Sequence, residues 1–242
     1  MSTITRTTAL RLAKDIRNIM KNPLHDNGIY YQHDETNIMI GYAMIVGPEN
    51  TPYQHGFYLF KLEFTDNYPH DPPKVLYFTQ GDKIRFHPNL YRSGKVCVSI
   101  LNTWRGEQWS SCQTISSILL TLVTLLHNKP LLNEPGITES HYDFKKYNEI
   151  ITYKAMEHAC LHMADEDHFN SNYNEFSIFY PTIINHIHTN INEIVGITKK
   201  LKEDNSENDN RVITTNMYSM NARLNYKSLH DMSTNIKSQI GK

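Results

Sequence analysis

The sequence predicts an α/β (α+β) fold in which an antiparallel sheet is flanked by helices. Residues 38–46, 57–64 and 74–78 are rich in β-branched and aromatic side chains and are separated by short segments with Pro and Gly. Three consecutive strands with short connections favour an antiparallel meander. Apolar residues at helical spacing before and after these strands indicate the flanking helices.

The first helix precedes the sheet. Its apolar positions step by one, three or four residues, namely Ala9, Leu12, Ala13, Ile16, Ile19 and Met20. The Asn22-Pro23 pair ends it, because proline cannot continue a helix. The opposite face carries four basic residues, Arg11, Lys14, Arg17 and Lys21. This basic face is either solvated or binds a partner.

Helical patterns return after the sheet. Apolar residues between 115 and 126 predict a buried helix, with Ser110 and Ser111 as its N-cap. Residues 142–163 predict another helix, and residues 169–194 predict a helix that is interrupted near Pro181.

These patterns divide the chain into four segments. Residues 1–165 form a catalytic core and residues 166–197 a helical extension. Residues 198–211 are polar and charged without apolar periodicity, which predicts a flexible linker. Residues 212–242 predict a terminal amphipathic helical segment, which either packs back on its own domain or captures a partner.

Composition excludes several classes of function. The 242 residues carry a formal net charge of −1, so bulk binding of nucleic acid is not predicted. No apolar run approaches about 18 residues, so no membrane span is predicted. The 13 histidines form no cluster with metal-ligand spacing, so no metal site is expected. Three cysteines, a low and odd number, favour free thiols in a reducing compartment.

Cys97 is the candidate nucleophile. It lies in a short β-type run, ten positions after the His of a His87-Pro88-Asn89 tripeptide. We interpret it as an exposed nucleophile on a rigid, largely non-helical platform. A thiol is intrinsically very nucleophilic even near its ordinary pKa of about 8.5. Cys112, at the predicted helix start, is a conceivable second nucleophile. The favoured interpretation of Cys112 and Cys160 is structural, because a free cysteine usually behaves as a small hydrophobe.

Asn89 indicates what the thiol does. A side-chain amide can stabilise the oxyanion that forms when a thioester carbonyl is attacked, which contributes about 10²–10³ in rate. Pro88 restricts the backbone beside it. His87 is tied to this proline and is interpreted as a packing residue. These residues therefore favour acyl transfer through a thioester.

Three motifs in order carry a family resemblance. They are the His-Pro-Asn tripeptide with Cys97, the YPHDPPK segment at 68–74, and the GPENTPYQHGF segment at 47–57. Together they resemble the ubiquitin-conjugating enzymes from about residue 9 to residue 163. The segments CVSILNTW (97–104) and NEPG (133–136) further resemble the Z-type branch and the conjugating domain of the giant inhibitor-of-apoptosis protein BRUCE.

The resemblance implies a fold, an activity and partners. The fold is the conjugating (UBC) fold, with a four-stranded antiparallel meander, an N-terminal helix, a central helix and C-terminal helices. Cys97 would receive ubiquitin, or a ubiquitin-like modifier, as a thioester from an activating enzyme. It would pass the modifier to a lysine of a protein substrate or to a ligase cysteine. No cofactor is bound, because the upstream activating enzyme consumes the ATP. The expected location is the cytoplasm, or also the nucleus.

The resemblance also implies roles for individual residues. Asn89 supports the oxyanion, and Asn133 and Glu134 line the approach of the amine. The partner-binding residues are the basic face of the first helix together with Pro69, His70, Ser110 and Ser111. His70 stands where many relatives have an apolar residue, and Ser99 where most have Asp. Ser110-Ser111-Cys112 replaces a common Ser-Pro-Ala.

Two other functions are compatible with parts of the pattern. A non-catalytic ubiquitin-binding variant of the same fold would lack the nucleophile, so Cys97 and Asn89 argue against it. A thiol hydrolase would need a histidine directed at Cys97, and His87 is the nearest candidate. The Asn-, Ile- and Lys-rich composition is typical of an AT-rich genome, such as that of a protist or a large virus.

Overall fold

A computed structural model describes residues 5–81 and 83–240. Residues 1–4, 82 and 241–242, which belong to the first and last predicted segments, lie outside the described residues. The helices are α1 (Arg6–Lys21), α2 (Ile115–Leu125), α3 (Phe144–Lys154), α4 (Glu166–Tyr173), α5 (Tyr180–Asp204) and α6 (Tyr226–Ile240). The strands are β1 (Ile29–His33), β2 (Ile40–Val46), β3 (Phe57–Glu63), β4 (Lys74–Tyr77), β5 (Arg211–Thr215) and β6 (Met220–Leu224). None of the helices in this part of the chain is long and apolar enough to cross a bilayer.

The sheet is the predicted four-stranded antiparallel meander. Its strand order is β1-β2-β3-β4, and Ile45 of β2 lies opposite Tyr58 of β3. Successive strand residues point to opposite faces of a sheet. Tyr58, Leu59 and Phe60 are all fully buried, so both faces of β3 are covered. The hydrophobic core therefore extends to both sides of the sheet.

Helix α1 forms where the sequence predicts it. Thr5 is its N-cap, and the Thr5 hydroxyl accepts a hydrogen bond from the Thr8 N–H at 3.1 Å. Leu12 and Ile19 are buried against the core, and the helix ends before Asn22 and Pro23. On the opposite, basic face, Lys14, Arg17 and Lys21 are exposed to solvent.

Helix α2 is buried as predicted, but it begins later than predicted. Ser110 and Ser111 are not its N-cap. Thr114 is, because its hydroxyl accepts from the Ser117 N–H while the Ser117 hydroxyl accepts from the Thr114 N–H at 2.8 Å. This reciprocal capping box satisfies two N–H groups that the helix start leaves free. Ser110 and Ser111 instead lie exposed in the preceding loop.

The helices after α2 differ from the predicted pattern in one place and agree with it in another. The helix predicted over residues 142–163 continues past α3 as a π-helix, Ala155–Leu161, and then a 3-10 turn, His162–Ala164. The helix predicted over residues 169–194 is interrupted near Pro181 as expected, because a 3-10 segment, Asn174–Phe179, separates α4 from α5, and Pro181 lies in the first turn of α5. Proline is tolerated there because the first N–H groups of a helix have no partner within the helix.

The flexible linker predicted at residues 198–211 is wrong for its first half, because α5 continues to Asp204. Thr198 is fully buried, and its hydroxyl lies 2.8 Å from the Ser233 hydroxyl of α6. The sequence did not predict this contact between α5 and α6, because the segment is polar and has no apolar periodicity. Asp209 then contacts the start of α6, where its carboxylate accepts a hydrogen bond from the Tyr226 N–H at 2.7 Å.

The terminal segment contains a β-hairpin that the helical prediction missed. Strands β5 and β6 pair antiparallel, with Thr215 opposite Met220. The hairpin packs on α3, where the Glu149 carboxylate pairs with Arg211 and accepts from the Tyr226 hydroxyl. This segment therefore packs on its own chain, while the division into a core and an extension remains a prediction.

Candidate active site

Cys97 and Asn89 lie on two short irregular segments that run side by side, and the two residues contact each other. An isolated antiparallel bridge joins Leu90 to Val96. The Cys97 N–H donates to the Asn89 carbonyl at 2.9 Å, and the Asn89 side-chain amide donates to the Cys97 carbonyl at 2.5 Å. This pair of hydrogen bonds places the asparagine directly beside the cysteine, as the spacing of the motif predicts. An amide nitrogen carries two N–H donors, so Asn89 keeps a second donor beyond this contact.

The Cys97 thiol is covered, and the interpretation of an exposed nucleophile is wrong for this conformation. Cys97 is 3% exposed, and its Sγ donates to the Thr103 carbonyl at 2.8 Å. Asn102, in a left-handed conformation with φ 57°, turns the chain back toward the cysteine. The Thr103 hydroxyl then bridges Val96 and Val98, donating to both carbonyls at 3.0 Å and accepting from the Val98 N–H. Residues 102–109, the thiol loop, therefore close over the sulfur.

We expect the hydrogen bonds of the Thr103 hydroxyl to limit the access of reagents to the Cys97 thiol. Replacing Thr103 by Val keeps the shape but removes these hydrogen bonds, which are worth about 1–2 kcal/mol together. We expect the thiol loop to open more often and Cys97 to be alkylated by iodoacetamide about 5–30 times faster. The rate is measured in a Cys112→Ala background. Thr124→Val, which removes an exposed helical hydroxyl, is the matched control, and an unchanged rate in Thr103→Val would contradict a pinned loop.

His87 is a packing residue, as predicted. It is fully buried, and its Nδ1 accepts from the Asn89 N–H at 3.0 Å. Burial, with His127 and Arg85 nearby, holds the pKa of His87 well below its ordinary value. Among the described residues, no histidine is hydrogen-bonded to the Cys97 sulfur. The Nε2 atom of His87 has no hydrogen-bond partner. The hydrolase alternative therefore lacks its base in this arrangement.

Burial of neutral His87 makes stability depend on pH. Above about pH 6.5 the residue is neutral in both the folded and the unfolded chain. Below it, the unfolded chain binds a proton that folded His87 does not, so this histidine removes about 1.4 kcal/mol of unfolding free energy by pH 5.5. Urea unfolding from pH 7.5 to 5.5 measures the loss. His87→Asn should lose less stability over this range, whereas replacement of exposed His70 by Asn should follow the wild type; equal slopes for all three would contradict the assignment.

Asn133 contacts Asn89 rather than the sulfur. The Asn133 side-chain amide donates to the Asn89 Oδ1 at 3.4 Å. His127 accepts the Lys129 N–H at Nδ1, so its Nε2 carries the proton and donates to the Asn133 Oδ1 at 2.8 Å. This chain of hydrogen bonds orients the amide group of Asn89, a contact that motif spacing does not reveal.

Glu134 lies on the same loop and contacts a residue of the C-terminal hairpin. Its Oε2 accepts from the Tyr218 hydroxyl at 2.6 Å. The next residue, Pro135, closes a groove of about 700 Å³ against the thiol loop. The groove is lined by Asn102, Thr103, Trp104, Arg105, Gln108 and Pro135. Glu134 is therefore the residue next in sequence to one that lines this open groove, and Thr103 of the thiol loop lines the opposite side.

Sequence reasoning missed Arg85 and Tyr218. The Arg85 guanidinium donates to the carbonyls of His87 and Pro88, at 3.2 and 2.5 Å. It also stacks on the rings of Tyr91 and Tyr218, at 3.6 and 4.7 Å from their centroids. No local pattern marks Tyr218, which is 129 residues after Asn89 in the chain (218 − 89).

The predicted partner-binding residues are exposed with two exceptions. Lys14, Arg17 and Lys21 are exposed on α1. Exposed His70 lies beside exposed Ser111, with Nδ1 and Oγ 3.5 Å apart, and Ser110 is next to it.

The two exceptions are engaged inside the protein. Arg11 pairs with Asp15 at 3.0 Å and donates to the carbonyls of Ser111 and Gln113, so it ties α1 to the loop before α2. Pro69 is buried, and its carbonyl accepts from the Trp109 indole N–H at 2.8 Å. Arg11 and Pro69 therefore contact other segments of this protein and are not among the exposed residues that a partner could bind.

The other cysteines differ from Cys97. Cys112 is exposed in the loop before α2, and the helix begins only at Ile115 with Thr114 as its N-cap. Cys160 is fully buried, and burial raises its thiol pKa to about 12, which keeps it protonated at neutral pH. Over residues 5–81 and 83–240, no group of three His, Cys, Asp or Glu side chains is placed to hold a metal ion.

Comparison with known proteins shows the family of this chain. A family model described as ubiquitin-conjugating enzyme matches residues 11–159. The chain is 41% identical over 159 residues to ubiquitin-conjugating enzyme E2 Z of Danio rerio, covering 64% of this chain and 48% of that protein. The Homo sapiens E2 Z is 40% identical, with 64% and 44% covered. The chain thus spans about half the length of these relatives.

A much longer relative also matches part of this chain. The dual E2 ubiquitin-conjugating enzyme/E3 ubiquitin-protein ligase BIRC6 of Homo sapiens is 42% identical over 142 residues. The match covers 54% of this chain but only 3% of that protein. Only the conjugating region is therefore shared with it.

Proposed function

Since this chain belongs to the ubiquitin-conjugating enzyme family, we propose that Cys97 accepts ubiquitin, or a ubiquitin-like modifier, as a thioester from an activating enzyme. The modifier then passes to a lysine of a protein substrate or to a ligase cysteine. The observation that carries this proposal is the Asn89 side-chain amide held against the Cys97 carbonyl. A positioned amide beside a thiol, without a histidine base on that thiol, suits acyl transfer better than hydrolysis.

Loading is a thioester exchange. The Cys97 thiolate attacks the thioester carbonyl on the activating enzyme, and the new S–C bond forms as the old one breaks. The released thiolate takes up a proton, so no oxidant or cofactor is needed. The second N–H of Asn89 is free to donate to the oxyanion that forms on that carbonyl.

Access to Cys97 requires the thiol loop to move. The hydrogen bond from Cys97 to the Thr103 carbonyl must break before the sulfur can attack. Trp104, Arg105, Gly106 and Glu107 are exposed, so little buried surface opposes movement of the middle of the loop, while buried Trp109 anchors its end. The groove between this loop and Pro135 is where we place the incoming acyl group.

Transfer to lysine requires a neutral amine beside the thioester. At pH 7.4 a lysine with a pKa of about 10.4 is about 0.1% neutral. Desolvation in a groove lowers that pKa, whereas a bare carboxylate alone would raise it. Glu134 therefore acts by orienting the amine, and Asn133 acts through the Asn89 amide that it contacts. The amine nitrogen forms the amide bond as the Cys97 thiol leaves.

Two surfaces would serve partners. The exposed basic residues Lys14, Arg17 and Lys21 suit the activating enzyme, and His70, Ser110 and Ser111 form the surface for a ligase. A reducing compartment, the cytoplasm or nucleus, suits a chain whose cysteines are all unpaired.

A charging assay tests the proposal. The protein is incubated with ATP, ubiquitin and either the general or the alternative activating enzyme, and the products are separated on a non-reducing gel. We expect an ATP-dependent adduct that disappears on treatment with thiol. Absence of an adduct with both enzymes, and with ubiquitin-like modifiers in place of ubiquitin, would favour a non-catalytic binding variant of the same fold.

A further inference from the structure

We propose that Tyr218, at the tip of the C-terminal hairpin, is a positioning residue that holds Glu134 through its hydroxyl and the His-Pro-Asn turn through Arg85. The inference rests on the proposed function of Cys97 and adds part of the C-terminal segment to the active site. Tyr218 makes two separate side-chain contacts, and its backbone conformation directs the side chain toward them.

The first contact is with Glu134. The Tyr218 hydroxyl donates to Glu134 Oε2 at 2.6 Å, while Oε1 is left for another partner. Burial and the neighbouring carboxylate raise the pKa of Tyr218, so the hydroxyl stays protonated and remains a donor. When one oxygen of a carboxylate is held by a hydrogen bond, the position of its second oxygen is restricted as well. Tyr218 thereby orients the group that we place beside the incoming amine.

The second contact is with Arg85. The guanidinium lies between two aromatic rings, with Tyr91 at 3.6 Å and Tyr218 at 4.7 Å. Its N–H groups donate to the carbonyls of His87 and Pro88, which immediately precede Asn89. The ring of Tyr218 therefore packs against the side chain that fixes the turn carrying Asn89.

The backbone conformation at Tyr218 is unusual for an aromatic residue, which indicates that the side chain is needed at this position. Tyr218 and Ser219 both have positive φ, 59° and 47°. Tight hairpin turns with this conformation strongly prefer Asn, Asp or Gly, and a bulky aromatic residue there is strained. Such strain persists only where surrounding contacts impose it, and it clusters at functional sites.

Two further hydrogen bonds impose the conformation. Arg92 donates to the Tyr218 carbonyl at 2.6 Å, and the buried Asp143 carboxylate accepts from the Met217 N–H at 2.8 Å. Both partners belong to the conjugating core. The tip is therefore fixed from both sides, and it delivers Tyr218 to the site.

The test separates the two contacts with two variants. Tyr218→Phe removes the hydroxyl but keeps the ring, so loading of Cys97 should be unchanged while discharge of the thioester to free lysine slows about tenfold. In a Glu134→Gln background the same change should slow discharge by less than about twofold, because the pair acts as a unit. Tyr180→Phe, which removes one hydroxyl bond to the Ala164 carbonyl, is the matched control.

Tyr218→Ala removes the ring as well. We expect the Asn89 side-chain amide signal in ¹⁵N–¹H NMR spectra to shift in this variant and to stay in place in Tyr218→Phe. Equal discharge rates for Tyr218→Phe and wild type, or an equal defect in the Glu134→Gln background, would overturn the hydroxyl contact. An unmoved Asn89 signal in folded Tyr218→Ala would overturn the Arg85 contact. The NMR measurement needs no activating enzyme, so it decides this inference even if charging fails.

Discussion

Cys97→Ala is expected to abolish the thiol-sensitive adduct that forms with an activated modifier. The adduct needs a sulfur nucleophile, and Cys97 alone of the three cysteines lies beside the Asn89 amide. Removing a nucleophile that forms a covalent intermediate costs at least about 10³ in rate. Non-reducing gels with ATP, modifier and activating enzyme measure the loss, and thermal unfolding of the variant shows whether the fold is retained.

Cys112→Ala is the matched control for this result. Cys112 is exposed and lies in a loop, so its replacement should change stability by less than about 0.5 kcal/mol and leave charging intact. Cys160→Ala is less useful, because that cysteine is fully buried and its loss would leave a cavity. An adduct that survives in Cys97→Ala and is lost in Cys112→Ala would identify Cys112 as the nucleophile instead.

Asn89→Ala is expected to slow discharge of the preformed thioester to free lysine by about 10²–10³. The variant removes the only amide donor that the described residues place on the Cys97 carbonyl. It also leaves that carbonyl without its partner, which should lower the unfolding free energy by about 1–2 kcal/mol. Single-turnover discharge of purified, loaded protein separates this step from loading, and urea unfolding gives the stability change.

Asn172→Ala provides the comparison for Asn89. Asn172 is exposed on α4, and its amide donates within that helix to the His168 carbonyl. We expect wild-type discharge from this variant. Asn133→Ala should show an intermediate defect, because Asn133 only orients the Asn89 amide. Discharge from Asn89→Ala within about threefold of wild type would exclude an oxyanion role for this residue.

The sheet, α1 and the pairing of Cys97 with Asn89 follow from local patterns in the sequence. Alternating and continuous apolar runs specify strands because one or both faces of each must be buried. The short segment between Asn89 and Cys97 turns back on itself, with Leu90 bridged to Val96 and the Gly94 N–H bonded to the Tyr91 carbonyl, so the two residues meet through contacts close along the chain. This is why the candidate nucleophile and its amide neighbour could be proposed from the sequence.

Other parts of the site depend on contacts between distant segments. Burial of the thiol depends on Asn102 turning the chain back so that Thr103 meets the segment around Cys97. A thiol loop that is polar in sequence is expected to be open, and only the packed structure shows it closed. Pro69 likewise belongs to a surface motif, yet its carbonyl is used internally by Trp109.

By itself, the sequence determined the α/β class through its apolar periodicity, and its motifs indicated the family and the candidate nucleophile, because these signals lie in residues close along the chain. Only the tertiary structure decided the course of residues 198–224 and the place of Tyr218. The polar residues 198–211 were predicted to be flexible, and they are instead held by Ser233 of α6, which contacts Thr198, and by Glu149 of α3, which pairs with Arg211. Such stabilisation comes from partners far away in sequence, which no local pattern encodes.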